Sequence, residues 1–240
     1  MAIVSADYFI NSIFMKITII YDNTAFREDL QVDWGFAALV ELKDAPKILF
    51  DTGGSGNILL NNMEKLGIDP LSIDEVFISH PHFDHIGGLS DFLKANPKIN
   101  KIYVPSSLGL KNEIILKEPQ KIHENVFSTG ELERIEQSMG VKTEKGIVLI
   151  VGCSHPYMGT ILDAAKKFGE IYAIIGGMHG FSEFELVDEA VASSSPFATT
   201  RVFKDLKLIC PTHCTQHKAE LKKLYPQKYV EGGAGRIIEI

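Results

Sequence analysis

Cysteine is scarce in this chain of 240 residues: Cys153, Cys210 and Cys214 are the only three, an odd number that builds no disulfide framework. That usage suits a reducing compartment. Positive charge is scarce too, with 24 Lys and Arg against 31 Asp and Glu and a net charge of −7. Such a balance argues against a general nucleic-acid or anionic-membrane surface, while leaving room for a local basic pocket. No uninterrupted apolar stretch approaches the ~20 residues of a membrane span. Near the amino terminus no basic region precedes the apolar residues, and Asp7 and Asn11 interrupt them, a poor pattern for a secretory signal. The chain therefore reads as cytoplasmic. It also lacks internal repeats, low-complexity tracts and linkers, so 15–240 reads as a single domain and 1–14 as a loosely attached N-terminal extension.

What the chain does have is apolar residues, 45% of the total and enough for a substantial core. Strands are expected at Met15–Tyr21, 36–42 and 47–50, the last two joined by a polar turn around Lys43 to Pro46. An amphipathic helix follows over 58–66, with Leu59, Leu60, Met63 and Leu66 on one stripe, Ser55 to cap its start and Gly67 its end. Leu89–Ala95 reads as a helix and 101–105 as a strand. Residues 106–145 are less regular and read as a solvated connection or a cover over a site. The continuous apolar run Gly146–Val151 reads as a buried strand, followed by a helix to Phe168, strands at 171–175 and 206–210, a helix at Lys218–Leu224 and a closing strand at 235–240. Strand, polar residue, helix recurs along this order, and the periodicity supports a mixed α/β architecture.

The densest chemistry lies in Phe77-Ile78-Ser79-His80-Pro81-His82-Phe83-Asp84-His85-Ile86-Gly87-Gly88-Leu89, which puts three imidazoles and a carboxylate into six residues. Pro81 has no amide hydrogen for a sheet ladder, so the ligand-rich segment belongs on the loop leaving the strand. In extended backbone, residues two apart point the same way, so His80 and His82 can grip one ion side by side. Asp84 and His85 are adjacent and better aimed at a second centre. Imidazole and carboxylate are ligands that zinc accepts. The bland alternative is a polar surface turn that happens to be rich in histidine.

His80-x-His82-x-Asp84-His85 resembles the signature of the metallo-β-lactamase superfamily. The wider run through Ile48-Leu49-Phe50-Asp51-Thr52-Gly53, Val151-Gly152-Cys153-Ser154-His155, Gly176-Gly177-Met178-His179 and Pro211-Thr212-His213-Cys214-Thr215 is similar to one branch of it. That branch includes proteins named for dihydropterin–ribofuranosylaminobenzene phosphate synthase and many hydrolase-like members. The resemblance covers nearly all of the chain from about Met15. It implies an α+β fold, a four-layer αββα sandwich of two mixed sheets with the strand ends gathered on one edge. It implies His155 as a third imidazole with His80 and His82, and His213 with Asp84 and His85 at a second metal. For His155 and His213 the alternative is a core histidine satisfied by a backbone carbonyl. Asp51 is implied to orient the histidine loop through hydrogen bonds without binding metal; alternatively it caps a turn.

The chain departs from the superfamily at one point. Many members carry an aspartate between the last two histidine ligands, bridging both ions, but the stretch Ile174 to His179 has no carboxylate, and Asp163 lies inside the preceding helix. His179 is left to ligate the second metal, contact substrate or shuttle a proton, and with Asp84 it is the candidate catalytic residue. One or two Zn2+ ions are implied as cofactor, with Mn2+ or Fe2+ as alternatives. Two divalent cations supply four positive charges, of which Asp84 and a hydroxide remove only two, so a small anionic substrate is expected. The function implied is metal-dependent hydrolysis of an ester or phosphoester by a metal-activated water. The alternatives are a transferase joining a pterin to a ribosylaminobenzene phosphate, and a non-catalytic sensor. No nucleic-acid or membrane partner is expected. Cys153 and Cys214 flank the ligand candidates and read most simply as small buried space-filling residues, with thiolate ligation as the alternative. His123 and His217 read as surface residues, and Trp34 and Phe36 either line a pocket or pack in the core.

Overall fold

The computed structural model describes residues 14–179 and 203–240. The reading of an N-terminal extension therefore falls, apart from Phe14, outside the described residues. Among the described residues, thirteen strands form two sheets: β1 Met15–Tyr21, β2 Ala37–Leu42, β3 Ile48–Phe50, β4 Glu75–Phe77, β5 Ile102–Val104, β6 Glu113–Ile115, β7 Gln120–His123, β8 Val126–Ser128, β9 Met139–Thr143, β10 Gly146–Val151, β11 Ile171–Gly177, β12 Leu208–Thr212 and β13 Ile237–Glu239. The first sheet runs β13-β1-β2-β3-β4-β5-β6 and the second β12-β11-β10-β9-β8-β7. Helices α1 Gly56–Leu66, α2 Phe83–Ile86, α3 Leu89–Ala95, α4 Met158–Lys166 and α5 Lys218–Leu224 complete the described residues. None of these helices is long and apolar enough to cross a membrane.

Alternation along the strands sorts the core into three clusters, which define four layers. In β10, Val148 and Ile150 point between the sheets, while Ile147, Leu149 and Val151 point away. Both faces are covered, which is why the run is apolar throughout rather than alternating. Between the sheets, Ile17, Ile19, Phe50 and Phe77 of the first meet Met139, Val141, Val148 and Ile175 of the second. Beyond the first sheet, Ile20, Leu49 and Val76 pack with Leu59 and Met63 of α1 and Phe92 of α3. Beyond the second, Leu149 and Ile174 pack with Ile161 and Leu162 of α4 and Leu221 of α5. The expected αββα sandwich is what the chain forms.

Three local expectations need correction. The 106–145 segment is not a solvated connection: it holds β6 to β9. These are short strands, and β6 and β7 are half-exposed or exposed edges, so no apolar run announces them. His123 is not a surface residue, because its Nε2 lies 2.6 Å from buried Glu75 Oε2 in the other sheet. Ser55 stands at the N-cap of α1 in extended conformation, yet its hydroxyl makes no capping bond; Gly67 does close the helix, with φ 69 in the left-handed region that glycine adopts without cost.

Candidate metal centre

Strand direction brings the polar residues together. β1, β3 and β4 run the same way, since β2 is antiparallel to both β1 and β3 and β3 is parallel to β4. β10, β11 and β12 are mutually parallel. Their carboxyl ends deliver Asp22-Asn23, Asp51, Ser79-His80, Cys153 to His155, Met178-His179 and His213-Cys214 in turn. β12 is an edge strand, which lets Pro211 sit in it without an amide hydrogen.

The histidine loop is extended only as far as His82, and Phe83 then begins the helical turn α2. His80, His82 and His155 form a triangle, each pair of ring centroids 4.6 Å apart and steeply inclined. Asp84, His85 and His213 form a second group: Asp84 Oδ2 lies 3.1 Å from His213 Nε2 and 3.7 Å from His85 Nε2. The His80 and His85 rings, 4.1 Å apart, join the two groups. The six residues read from the sequence as ligands therefore stand together. His80 and His85 are wholly buried, whereas His82 is exposed and marks the open side.

Neighbouring residues fix which imidazole nitrogen carries the proton. Asp51 accepts the Ser79 amide at Oδ1, and at Oδ2 the Ser79 hydroxyl and His85 Nδ1, each at 2.7 Å. The Ser79 hydroxyl proton is thus committed, so His80 Nδ1, 2.9 Å from Ser79 Oγ, donates to it. Asn23 Oδ1 already accepts the Gly35 amide, so His213 Nδ1, 2.9 Å away, donates to it as well. In all three residues Nε2 is left as the inward-facing donor atom. His80 Nε2 and His155 Nε2 are then 3.1 Å apart. His213 Nε2 and the Asp84 carboxylate, also 3.1 Å apart, repel unless a proton or a cation lies between them. Burial, reinforced by the surrounding imidazoles, pushes His80 far below its ordinary pKa and His155 down to about 4. Both are neutral near pH 7, the form that binds metal. This donor set fits divalent cations.

Sequence reasoning missed several residues that build the site. Glu136, fully buried, accepts the amides of Gly152, Cys153 and Ser154 at Oε1 and of His155 at Oε2, at 2.9 to 3.1 Å. It folds the turn that presents Cys153 and His155. Burial raises its carboxyl pKa, while the His155, Cys153 and Ser154 amides pull the other way. Gln137 ties the second sheet to the histidine loop, donating from its amide to Ser79 O and from Nε2 to Ile78 O. Asp22 accepts the His213 amide. Trp34 is exposed, and its Nε1 donates to Asp84 Oδ2 at 2.9 Å; Phe36 is core. Asp22-Asn23 does have a sequence signal, a polar pair directly after a strand, as at Asp51. Glu136 has none.

His179 lies on the His155 side, ring centroids 4.4 Å apart, and not with Asp84 and His213. Its side chain bonds Cys214, which raises the imidazole pKa, and Cys153 and His179 together bring the Cys214 thiol down to about 4. The missing carboxylate also has a physical reason. A Cβ on Gly176 would lie 1.9 Å from Val151 O, and one on Gly177 would lie 2.3 Å from Gly152 O and 2.7 Å from Cys214 Sγ. Backbone and sulfur occupy that space, so no side chain fits there. Among the described residues, three of the six non-glycine residues with positive φ (Asp51, Ser154 and His213) belong to this site. Such conformations cost about 1–3 kcal/mol each and persist where their surroundings impose them.

The model of the metallo-β-lactamase superfamily matches residues 33–123, which contain the histidine loop. The 7,8-dihydropterin-6-methyl-4-(β-D-ribofuranosyl)-aminobenzene-5′-phosphate synthase of Methanocaldococcus jannaschii is 27% identical over 287 residues, covering 92% of this chain and 95% of that protein. A second protein of the same organism, the uncharacterized MJ0448, is 29% identical over 93% of this chain and 100% of its own length. The crystal structure of Tm1679, a metal-dependent hydrolase of the β-lactamase superfamily, superposes with a TM-score of 0.70 at 25% identity, covering 94% of this chain and 99% of that one. The chain is a metallo-β-lactamase-fold protein. In sequence its likeness runs to the dihydropterin synthase and MJ0448 of Methanocaldococcus jannaschii.

Proposed function

We propose that this protein is a metal-dependent enzyme that hydrolyses a small anionic ester, most simply a phosphoester. The observation that carries the reading is the convergence of His80, His82 and His155 with Asp84, His85 and His213, with the inward nitrogens of His80, His85 and His213 set by Ser79, Asp51 and Asn23. Bound divalent cations, zinc first and manganese or iron as alternatives, would polarise a phosphoryl or acyl oxygen and make a water more acidic. The residues do the rest. Asp51 and Asn23 hold His85 and His213 in the ligating tautomer. Asp84 supplies the one carboxylate among the six and accepts a hydrogen bond from Trp34 Nε1, which limits its rotation. His179, half-buried beside His155, would pass a proton to a leaving group, a role its nearness to His155 supports. His82 faces the side from which substrate enters.

A second reading, transfer between a pterin and a ribofuranosylaminobenzene phosphate, is favoured by one feature of the rim. Trp34, Phe83 and Tyr157 are all more than half exposed, and each belongs to a segment that carries or touches a site residue. Exposed aromatic faces suit a planar ring. Metal analysis of the purified protein, followed by a phosphoester panel with and without chelator, tests the first reading; turnover that survives complete metal removal would overturn it. Condensation of the two aromatic substrates in place of phosphoester cleavage would establish the second.

A further inference from the structure

Cys153 is the one residue common to all the donor groups. Its sulfur lies within 4.8 Å of the donor atoms of Asp84, His85 and His213, and likewise of those of His80 and His155. It also joins His179 and Cys214 in a third group. Among the described residues no other donor has this position. The side chain is almost wholly buried, and its Sγ is 3.1 Å from His85 Nε2. Nδ1 donates to Asp51, so in the neutral form that a cation requires Nε2 faces the sulfur with a lone pair. A thiol has one proton and cannot satisfy both His85 and the neighbouring Cys214.

The backbone shows that this placement is built. Glu136 holds the Cys153 amide at 3.0 Å along with those on either side, and Ser154 is bent to φ 65. Cys153 O accepts the His179 amide. The neighbouring Gly176-Gly177 strand end has no room for a side chain, so no carboxylate can enter from there. Besides the Asp84 carboxylate, an anionic donor near the shared centre is thus supplied from the β10 side, by sulfur.

We propose that Cys153 is a thiolate ligand shared by both cation positions, joining His80, His82 and His155 to Asp84, His85 and His213. Cation entry releases the thiol proton to solvent, and the sulfur supplies the negative charge between the two positions. A soft donor at the centre favours zinc over magnesium or calcium. The inference rests on the metal-centre reading above, and its test reads ligation directly.

Cobalt(II) provides the probe, because a thiolate bound to it gives near-ultraviolet charge-transfer absorption that imidazole and carboxylate do not. Metal-free wild-type protein titrated with cobalt should show that band. It should survive Cys214→Ser and Cys210→Ser and vanish in Cys153→Ser, with cation affinity falling at least about tenfold. Cys153→Asp should recover affinity without the band. A wild-type protein that binds cobalt without the band, or a band that persists in Cys153→Ser, would overturn the inference while leaving the metal-dependent reading intact. Wild-type protein that takes up no cation overturns both. Where Cys153→Ser fails to fold, the double variant Cys210→Ser with Cys214→Ser leaves Cys153 as the one cysteine; the band in that protein upholds the inference, and cobalt binding without it overturns it.

Discussion

Asp51 Oδ2 and His85 Nδ1 are 2.7 Å apart, both wholly buried, and the same oxygen takes the Ser79 hydroxyl. One carboxylate thereby sets the tautomers of His85 and, through Ser79, of His80. Asp51→Asn presents an amide that accepts at one end only and donates at the other. We expect it to weaken cation retention by about 10–100-fold while leaving the fold in place. Competition with a chromophoric chelator measures this, and retention equal to wild type would show that Asp51 merely caps a turn.

Glu136 should behave differently, because its four amide partners are structural as well as functional. Glu136→Ala leaves the donors of residues 152 to 155 buried without an acceptor. The expected loss of stability is on the order of 3 kcal/mol. Glu136→Gln keeps one acceptor oxygen but turns an NH2 group toward amide donors, and should lose both stability and metal retention. Urea unfolding with parallel metal analysis distinguishes the two effects; loss of neither would remove Glu136 from the site.

How much of this was legible depended on whether the information was local. His80, His82, Asp84 and His85 are neighbours in sequence, so their spacing alone exposed them. His155 and His213 each follow an apolar run, which alone fits a core histidine as well; the family resemblance and the company of the histidine loop pointed to them. Cys153 has the same position at a strand end, yet a small buried cysteine looks like packing until the distance to His85 is known. Glu136 acts on residues 16 to 19 positions away through backbone amides that no sequence pattern marks. In 106–145, β6 and β7 were missed because half-exposed edges are not written in apolar residues, and β8 and β9, though largely buried, because they are short and broken by Ser128 and Gly140.

Trp34 offers a test of the open side of the site. Its ring centroid lies 5.0 Å from that of His213, and its indole proton goes to Asp84. Trp34→Phe keeps an aromatic face and loses the hydrogen bond, so kcat should fall with little change in KM. Trp34→Ala loses the face as well, and KM for a ring-bearing substrate should rise about tenfold, equivalent to ~1.4 kcal/mol. Equal KM values for both variants would exclude stacking on this residue.

Far from the metal centre, at the other end of β4, Glu75 joins the two sheets. Its carboxylate meets Lys101 Nζ at 2.8 Å, Tyr103 OH at 3.2 Å and His123 Nε2 of β7 at 2.6 Å. Burial opposes ionisation, but the bonds from Lys101 and His123 outweigh it and hold the carboxyl below its ordinary value. A depressed folded-state pKa stabilises the protein above the unfolded value, about 4.3 for glutamate, and that contribution is lost as pH falls through the folded value. Glu75→Gln should therefore be less stable than wild type at pH 7, by about 1–3 kcal/mol. The gap should narrow as the pH drops below about 4, where the wild-type carboxylate takes up a proton. Urea unfolding of both proteins across that range checks the sign: a gap that stays constant or widens on acidification would mean that the carboxylate charge does not hold the sheets together here.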